Sequence, residues 1–189
     1  KVKRYVIWKS QKGFPNAEVL SLYRDYGIVP KNSRDDNHNV TSLDTGSYKY
    51  VNDGDLVVNK MKAWQGSIAV SHFAGIVSPA YHVFEFYNDN SIVKDYLHYL
   101  LRCKIYLPEY LRLSTGMRIG QWDLSESDFR NILIVVPPLP EQQAIVAYLD
   151  SKCGAIDEVI AKKQQLITEM ENYKKSVIYE YVTGKKEVG

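Results

Sequence analysis

At 189 residues, with 45% hydrophobic and 24% charged side chains, the chain has enough apolar material for one sizeable core, or for one domain plus an appendage. No run approaches the ~18 apolar residues of a membrane span, and Lys1-Val2-Lys3-Arg4 is not followed by an apolar signal segment, so a cytoplasmic location without membrane association is expected. The formal net charge of +2 is too small to demand a nucleic-acid partner, although residues 1–140 carry net +3 and residues 141–189 net −1, a mildly basic body on a near-neutral tail. Short apolar runs punctuated by Gly, Asn, Asp and Pro predict strands at Tyr48–Val51, Asp55–Lys60, Gly66–Ser71, Tyr81–Phe86 and Asn131–Val136. The five residues Met61-Lys62-Ala63-Trp64-Gln65 suit a hairpin connection between the second and third of these. Val93, Tyr96, Leu97, Leu100, Leu101 and Ile105 recur at helical spacing and predict a helix over Ile92–Leu113, broken at Pro108.

Pro137-Pro138-Leu139-Pro140 interrupts regular structure and is read as a domain boundary, with one domain at 1–140 and a long helix at 141–189. From Glu141 to about Thr183 there is no Pro and a single Gly, Gly154, while apolar residues recur in steps of three, four and seven. Leu149, Ile156, Lys163, Met170 and Val177 share one heptad position, and Ile160 and Ile167 lie beside it. Such a stripe calls for another helix, and Leu149, Ile156, Ile160, Ile167, Met170 and Val177 are the expected interface of a coiled-coil homodimer. Two shorter helices folded back at Gly154 are the alternative. The predicted class is therefore α+β: a globular domain of mixed sheet and helices followed by a long C-terminal coiled-coil helix.

The residues that catalysis would need are missing from their places. An adenine methyltransferase requires a polar residue before Pro-Pro, an aromatic after it, and a Gly-rich cofactor loop. Val136-Pro137-Pro138-Leu139 has only the prolines. Asp55–Lys60 mimics the outline of a metal-dependent nuclease, but Val58 stands where the second acid belongs. Cys103 and Cys153 lack metal-ligand spacing and read as buried or idle thiols, while His38, His72, His82 and His98 show no pairing at metal spacing. His98 is placed on the polar side of its helix. No cofactor, metal or catalytic residue is expected.

The stretch from Asn131 to Asp150, NILIVVPPLPEQQAIVAYLD, strongly resembles the junction between recognition domain and spacer helix in specificity subunits of type I restriction-modification enzymes. Ile156-Asp157, Gln164-Gln165-Leu166-Ile167 and Tyr173-Lys174-Lys175-Ser176-Val177-Ile178 continue the likeness to Thr183-Gly184-Lys185. Gly54-Asp55-Leu56-Val57-Val58 and Ser114-Thr115-Gly116-Met117-Arg118 are similar to weaker landmarks of the family's target-recognition domain. Such subunits usually carry two recognition domains and two spacer helices in tandem, so this chain resembles a half-subunit, a natural short form or a cut piece. The resemblance implies a DNA sequence-specificity component that reads one half of a bipartite site in double-stranded DNA. It also implies assembly with modification (methyltransferase) subunits, which bring S-adenosylmethionine, and with a restriction (translocase-nuclease) subunit.

Base readout needs paired donors or acceptors on exposed loops, and phosphate contacts need cations, hydroxyls or free amides. Three segments offer them. Lys31, Ser33 and Arg34 form a polar loop, also readable as a solvated surface loop beside Asp35-Asp36. Lys60, Lys62, Trp64 and Gln65 put two cations, an indole and an amide in the hairpin connection, where Trp64 could instead cap the core. Thr115, Gly116, Arg118 and Gln121 surround a Gly-rich turn in which Arg118 can pair bidentately with guanine or phosphate. Most of the fifteen tyrosines sit among apolar residues and read as core; Tyr48, Tyr50 and Tyr81 stay open. The competing class is a coiled-coil scaffold whose globular part binds protein rather than DNA.

Overall fold

A computed structural model describes residues 1–24, 26–33, 45–88, 91–116 and 122–188. The chain divides into two compact units, Lys1–Gln143 and Ala144–Gly189. In chain order the first unit holds β1 (Val6–Lys9), β2 (Leu20–Tyr23), β3 (Gly27–Pro30), β4 (Lys49–Val51), β5 (Leu56–Asn59), β6 (Ile68–Val70), β7 (Gly75–Val77) and β8 (Tyr81–Phe86). There follow α1 (Lys94–Arg102), α2 (Leu107–Leu113), β9 (Ser114–Thr115), β10 (Asp123–Leu124) and α3 (Glu126–Asn131), and then α4 (Leu139–Val182), which continues through the second unit.

An antiparallel sheet in the order β1-β8-β5-β6 is the centre of the body. β5 is buried on both faces, which explains why it reads Leu-Val-Val without polar alternation. Three two-stranded pairs, β2-β3, β4-β7 and β9-β10, complete the strands. Leu20, Leu22, Ile28, Val51, Val57, Ala69, Val77 and Val83 form one apolar core, so the β2-β3 and β4-β7 pairs pack over one face of the central sheet. A second group is aromatic: Phe84 and Phe129 lie 5.2 Å apart and Tyr110 packs against Phe129, all fully buried. The approach of β7 to β2 leaves no room for a side chain at Gly75, since a Cβ there would overlap the Glu18 carbonyl and sit 2.8 Å from Leu20.

An edge strand presents unpaired amides and carbonyls that must be covered. At β6 the covering group is α1: the Val70 amide donates to His98 Nδ1 at 3.1 Å, and Arg102 donates to the Ile68 carbonyl at 3.4 Å. His98 therefore faces the sheet rather than the polar side of its helix, because the edge amide needs an acceptor. The expected long helix over Ile92–Leu113 is two, α1 and α2, joined by a turn at Lys104–Tyr106. Its break falls at Cys103, whose backbone is extended. Pro108 begins the second helix instead of ending the first, since the first turn is where a missing amide costs nothing.

The expected strand at Asn131–Val136 is absent: α3 ends at Asn131 and residues 132–138 have no strand partner. Backbone groups of this segment are met by other means. The Val2 amide donates to the Ile132 carbonyl at 3.0 Å and the Tyr96 hydroxyl to the Val135 carbonyl at 2.9 Å. The helix start is likewise earlier than expected, at Leu139, because Pro140 and Glu141 both suit a first turn. Gln142 is 1% exposed and is held by three bonds. Its Oε1 accepts from the Val93 amide at 2.8 Å, and its Nε2 donates to the carbonyls of Pro137 at 2.8 Å and Ser91 at 3.3 Å.

The second unit is one continuous helix, without the break at Gly154 that the alternative reading required. At 44 residues, α4 as a whole is roughly 66 Å long. Its end is set by Gly184 at φ +73°, with the Lys186 amide returning to the Glu180 carbonyl at 3.1 Å. No described helix is long and apolar enough to cross a membrane.

Candidate nucleic-acid interface

The predicted connection between β5 and β6 is a hairpin, paired Val57 to Ala69, and its tip contains a helical turn at Ala63–Gln65. The Trp64 indole is half-buried because its Nε1 donates to the Met61 carbonyl at 3.1 Å and its ring meets Trp122 edge-on at 5.3 Å. The tip is thus tied to its own backbone and to Trp122 by the Trp64 ring. Lys62 beside it is exposed.

Facing the tip is the short turn Lys31–Ser33 that follows β3. The two segments, distant in sequence, enclose a cleft of about 390 Å³ whose lining includes Lys31, Lys62, Trp64 and Gln65. Tyr48, Asn59 and Tyr81 complete its polar wall. Burial pushes the Tyr81 phenol above its ordinary value, so it is neutral and keeps its hydrogen for donation. Ser33 does not join this lining; its hydroxyl is turned back to the Pro30 carbonyl at 2.6 Å. Arg34 lies outside the described residues.

The third predicted segment reaches the same neighbourhood through β9 and β10. Thr115 pairs with Asp123, the Leu124 amide donates to the Lys60 carbonyl at 2.9 Å, and Lys60 Nζ donates to Asp123 Oδ2 at 2.8 Å. Thr115 and Gly116 are exposed; Arg118 and Gln121 lie outside the described residues. The Lys60–Asp123 pair joins the second and third segments, which sequence spacing did not reveal. It also engages the Lys60 ammonium with a carboxylate, leaving Lys62 the more available cation of the two.

Three buried or partly buried titratable groups lie on neighbouring strands and loops of the body. Lys49 is buried and donates to the carbonyls of Pro79 and Tyr81, and burial, with Lys60 and Lys12 adding to it, lowers its pKa. His82 Nε2 lies 3.0 Å from the Leu124 carbonyl, and burial lowers its pKa too, with Lys49 and Lys60 contributing in the same direction. Asp55 is tied to Lys9 at 2.7 Å and is raised by burial despite that partner. Sequence reasoning missed Trp122 and Asp123, since nothing marks a Trp-Asp pair after a Gly-rich loop until its strand partner is known.

On the terminal helix, Ile156, Ile160, Ile167 and Met170 are between 51% and 61% exposed, and Leu149 and Val177 are half-buried.

A mixed sheet-and-helix body with a basic, aromatic cleft at its turns, followed by one long helix with exposed aliphatic side chains, has the outline of a recognition module. The family model for the type I restriction modification DNA specificity domain matches residues 8–172, and the chain belongs to that family. Among solved structures it is similar to the HsdS subunit from Thermoanaerobacter tengcongensis, at 18% identity and a TM-score of 0.58, over 95% of this chain and 43% of that one. It is also similar to a chain from a structural study of complex assembly and conformational transition in the type I R-M system, at 19% identity and a TM-score of 0.60, over 93% of this chain and 42% of the other. At these identities the likeness is one of fold, and the chain spans a little over two fifths of each. No curated protein gives a significant sequence match.

Proposed function

We propose that the domain at residues 1–140 binds double-stranded DNA and reads one half of a bipartite site, with no catalytic step of its own. In this reading the helix at 141–189 spaces that domain and offers a surface for assembly, through Leu149, Ile156, Ile160, Ile167, Met170 and Val177, either with a second copy or with modification subunits. Methylation and cleavage are supplied by modification and restriction subunits, and the complex works on DNA in the cytoplasm. The carrying observation is the meeting of separated polar segments at one place: Lys31, Lys62, Trp64 and Gln65 around one cleft, with Thr115 bound through Asp123 to Lys60 beside it. Family membership supports the same reading.

The cleft suits a duplex better than a small substrate. Its lining combines cations for phosphates with amides and phenols that can meet base edges. Ser33, Arg34, Gly116, Arg118 and Gln121 extend it as proposed contacts, with Arg118 the proposed base reader. The test is selection of bound duplexes from a random pool, alone and with the cognate modification subunit. Enrichment of a short motif, weakened by about 1–3 kcal/mol on Arg118→Ala, is the expected outcome. Retention of no duplex above background in either condition would overturn the reading in favour of a protein-binding scaffold.

A further inference from the structure

The edges of stacked bases lie recessed in a groove, so the elements that reach them protrude, as a helix or a two-stranded ribbon does. The cleft between the hairpin tip and the turn after β3 is a hollow, and a hollow is complementary to a group that projects. At about 390 Å³ it lies near the small end of single-ligand sites, roughly 300–1,000 Å³. That suits one base with its sugar and excludes a duplex, whose major groove alone is about 12 Å wide.

The lining has the chemistry that recognises a base. The rings of Tyr48, Trp64 and Tyr81 stand in it together with the amides of Asn59 and Gln65. Aromatic faces stack on any base, and amides pair with the donors and acceptors of a base edge. The polar wall is set in advance. Asn59 Oδ1 accepts from the Met61 amide at 3.2 Å, and the Tyr81 hydroxyl is met by the Asn59 side chain and the Leu22 backbone. Lys49, donating to the Pro79 and Tyr81 carbonyls, holds the turn that brings Tyr81 in. Lys31 and Lys62 add cations and none of the described lining residues is acidic, so a nucleotide's phosphate is attracted rather than repelled. Met61, 43% exposed at the hairpin tip, is an apolar side chain of the kind that wedges into a base stack where it has opened.

We propose that this cleft holds one base turned out of the bound duplex, stacked on Trp64 and read along its edge by Asn59, Gln65 and Tyr81. The inference rests on the DNA-reading function proposed above and deepens it: at one position of the site the body recognises an extruded base instead of a paired one. Extrusion sacrifices the pairing and stacking of that base, and its cost is smallest where the base has no partner.

The test uses the full chain, with the modification subunit where retention of the duplex requires it. In copies of the selected duplex, an abasic site replaces the base opposite each position in turn, and affinity is measured for each. Loss of a partner base should weaken binding at ordinary reading positions. At the extruded position it should tighten binding about tenfold or more. Trp64→Ala should abolish that gain, and Trp64→Phe, which keeps a ring to stack on, should retain it. If Trp64→Ala does not fold, Gln65→Ala, which spares the Trp64–Trp122 contact, takes its place and should reduce the gain. A gain unchanged by these substitutions belongs to bending of the duplex or to a base held by another subunit, and overturns the pocket. Specific binding by the parent with no position that tightens also overturns it, while leaving DNA reading intact. A parent that binds no duplex removes the DNA-reading function itself, and this pocket with it.

Discussion

The body and the terminal helix obtain their order in opposite ways. Every buried hydrophobic side chain among the described residues lies between Val2 and Ile132, and no described residue beyond Gln142 is buried. The body closes its strands into a core and covers its β6 edge with α1, so it has a buried core of its own, although Ile105, Leu133 and Val135 stay exposed on its surface. The helix presents Ile156, Val159, Ile160, Leu166, Ile167 and Met170 at half exposure or more. A stripe of that extent has a place in stability only when a second surface covers it. One unit buries its apolar residues within itself, and the other carries the stripe for which we propose a partner surface.

The sharpest way to break this contrast is to charge the stripe. Each buried aliphatic side chain contributes roughly 1.5–3 kcal/mol, so Ile156→Asp with Ile167→Asp should weaken self-association by about 3–6 kcal/mol, at least a hundredfold. Sedimentation across a wide concentration range checks it: the parent should dimerise and the variant should not. A parent that stays monomeric at high micromolar concentration, unaffected by the two changes, would mean that the stripe is reserved for a different subunit. The body's thermal transition should be the same in both proteins.

Cutting into the body should do the reverse. Phe129 is fully buried against Phe84 and Tyr110, and Phe129→Ala should cost about 3–5 kcal/mol of stability with no change in helix association. Urea unfolding followed by aromatic fluorescence measures it. Gln142→Ala should have the next largest effect. It strands the Val93 amide and the Ser91 and Pro137 carbonyls, at about 1–3 kcal/mol for buried groups left unmet. An unfolding midpoint equal to the parent's would show that water reaches those groups.

The two units also differed in how much could be read from their sequences. The helix was legible because its signal is periodic and local: prolines up to its first turn, none beyond it, and steps of three, four and seven from Ile145 to Val177. The β5-β6 hairpin was legible for the same reason, a compact connection between apolar runs. Asn131–Val136 misled because Ile-Leu-Ile-Val-Val carries a strand's composition, while pairing depends on a neighbour that sequence does not display. Val6–Lys9 and Gly75–Val77 went unpredicted because they are short and take their order from β8 and β4. At the candidate interface the separate segments were legible from their polar and glycine content. Their meeting was not, since Lys60–Asp123 and the shared wall of Lys31 and Lys62 are long-range consequences of the fold.

Within the body, Lys60 and Lys62 provide a smaller test of what the fold adds to sequence. Both were expected at phosphates, but only Lys60 is paired, at 2.8 Å to Asp123. Lys62→Ala should lower the salt slope of duplex binding by about one unit, and Lys60→Ala by less. Equal reductions would mean that Asp123 releases Lys60 when DNA arrives.

The smallest expected effect is a pH dependence confined to the body. His82 is held below its ordinary value of 6.5, first by burial and further by Lys49 and Lys60, while the Leu124 carbonyl and Asp123 oppose the shift. The folded protein therefore keeps this imidazole neutral where the unfolded chain would protonate it. Its contribution to stability is complete above the unfolded pKa and is lost as pH falls from there through the depressed folded value. Urea midpoints taken at intervals downward from about pH 7.5 should decline below about pH 6.5 in the parent. His82→Gln keeps a donor for the Leu124 carbonyl without a titrating ring, so it should flatten that decline while leaving helix association unchanged. The raised pKa of Asp55 has the opposite sign: its carboxyl gains stability on protonation, as pH falls toward its unfolded value of 3.8. The His82 component is thus read at the upper end of the range, before the carboxylates begin to titrate. A slope near about pH 6 that survives His82→Gln would assign the proton uptake to another group.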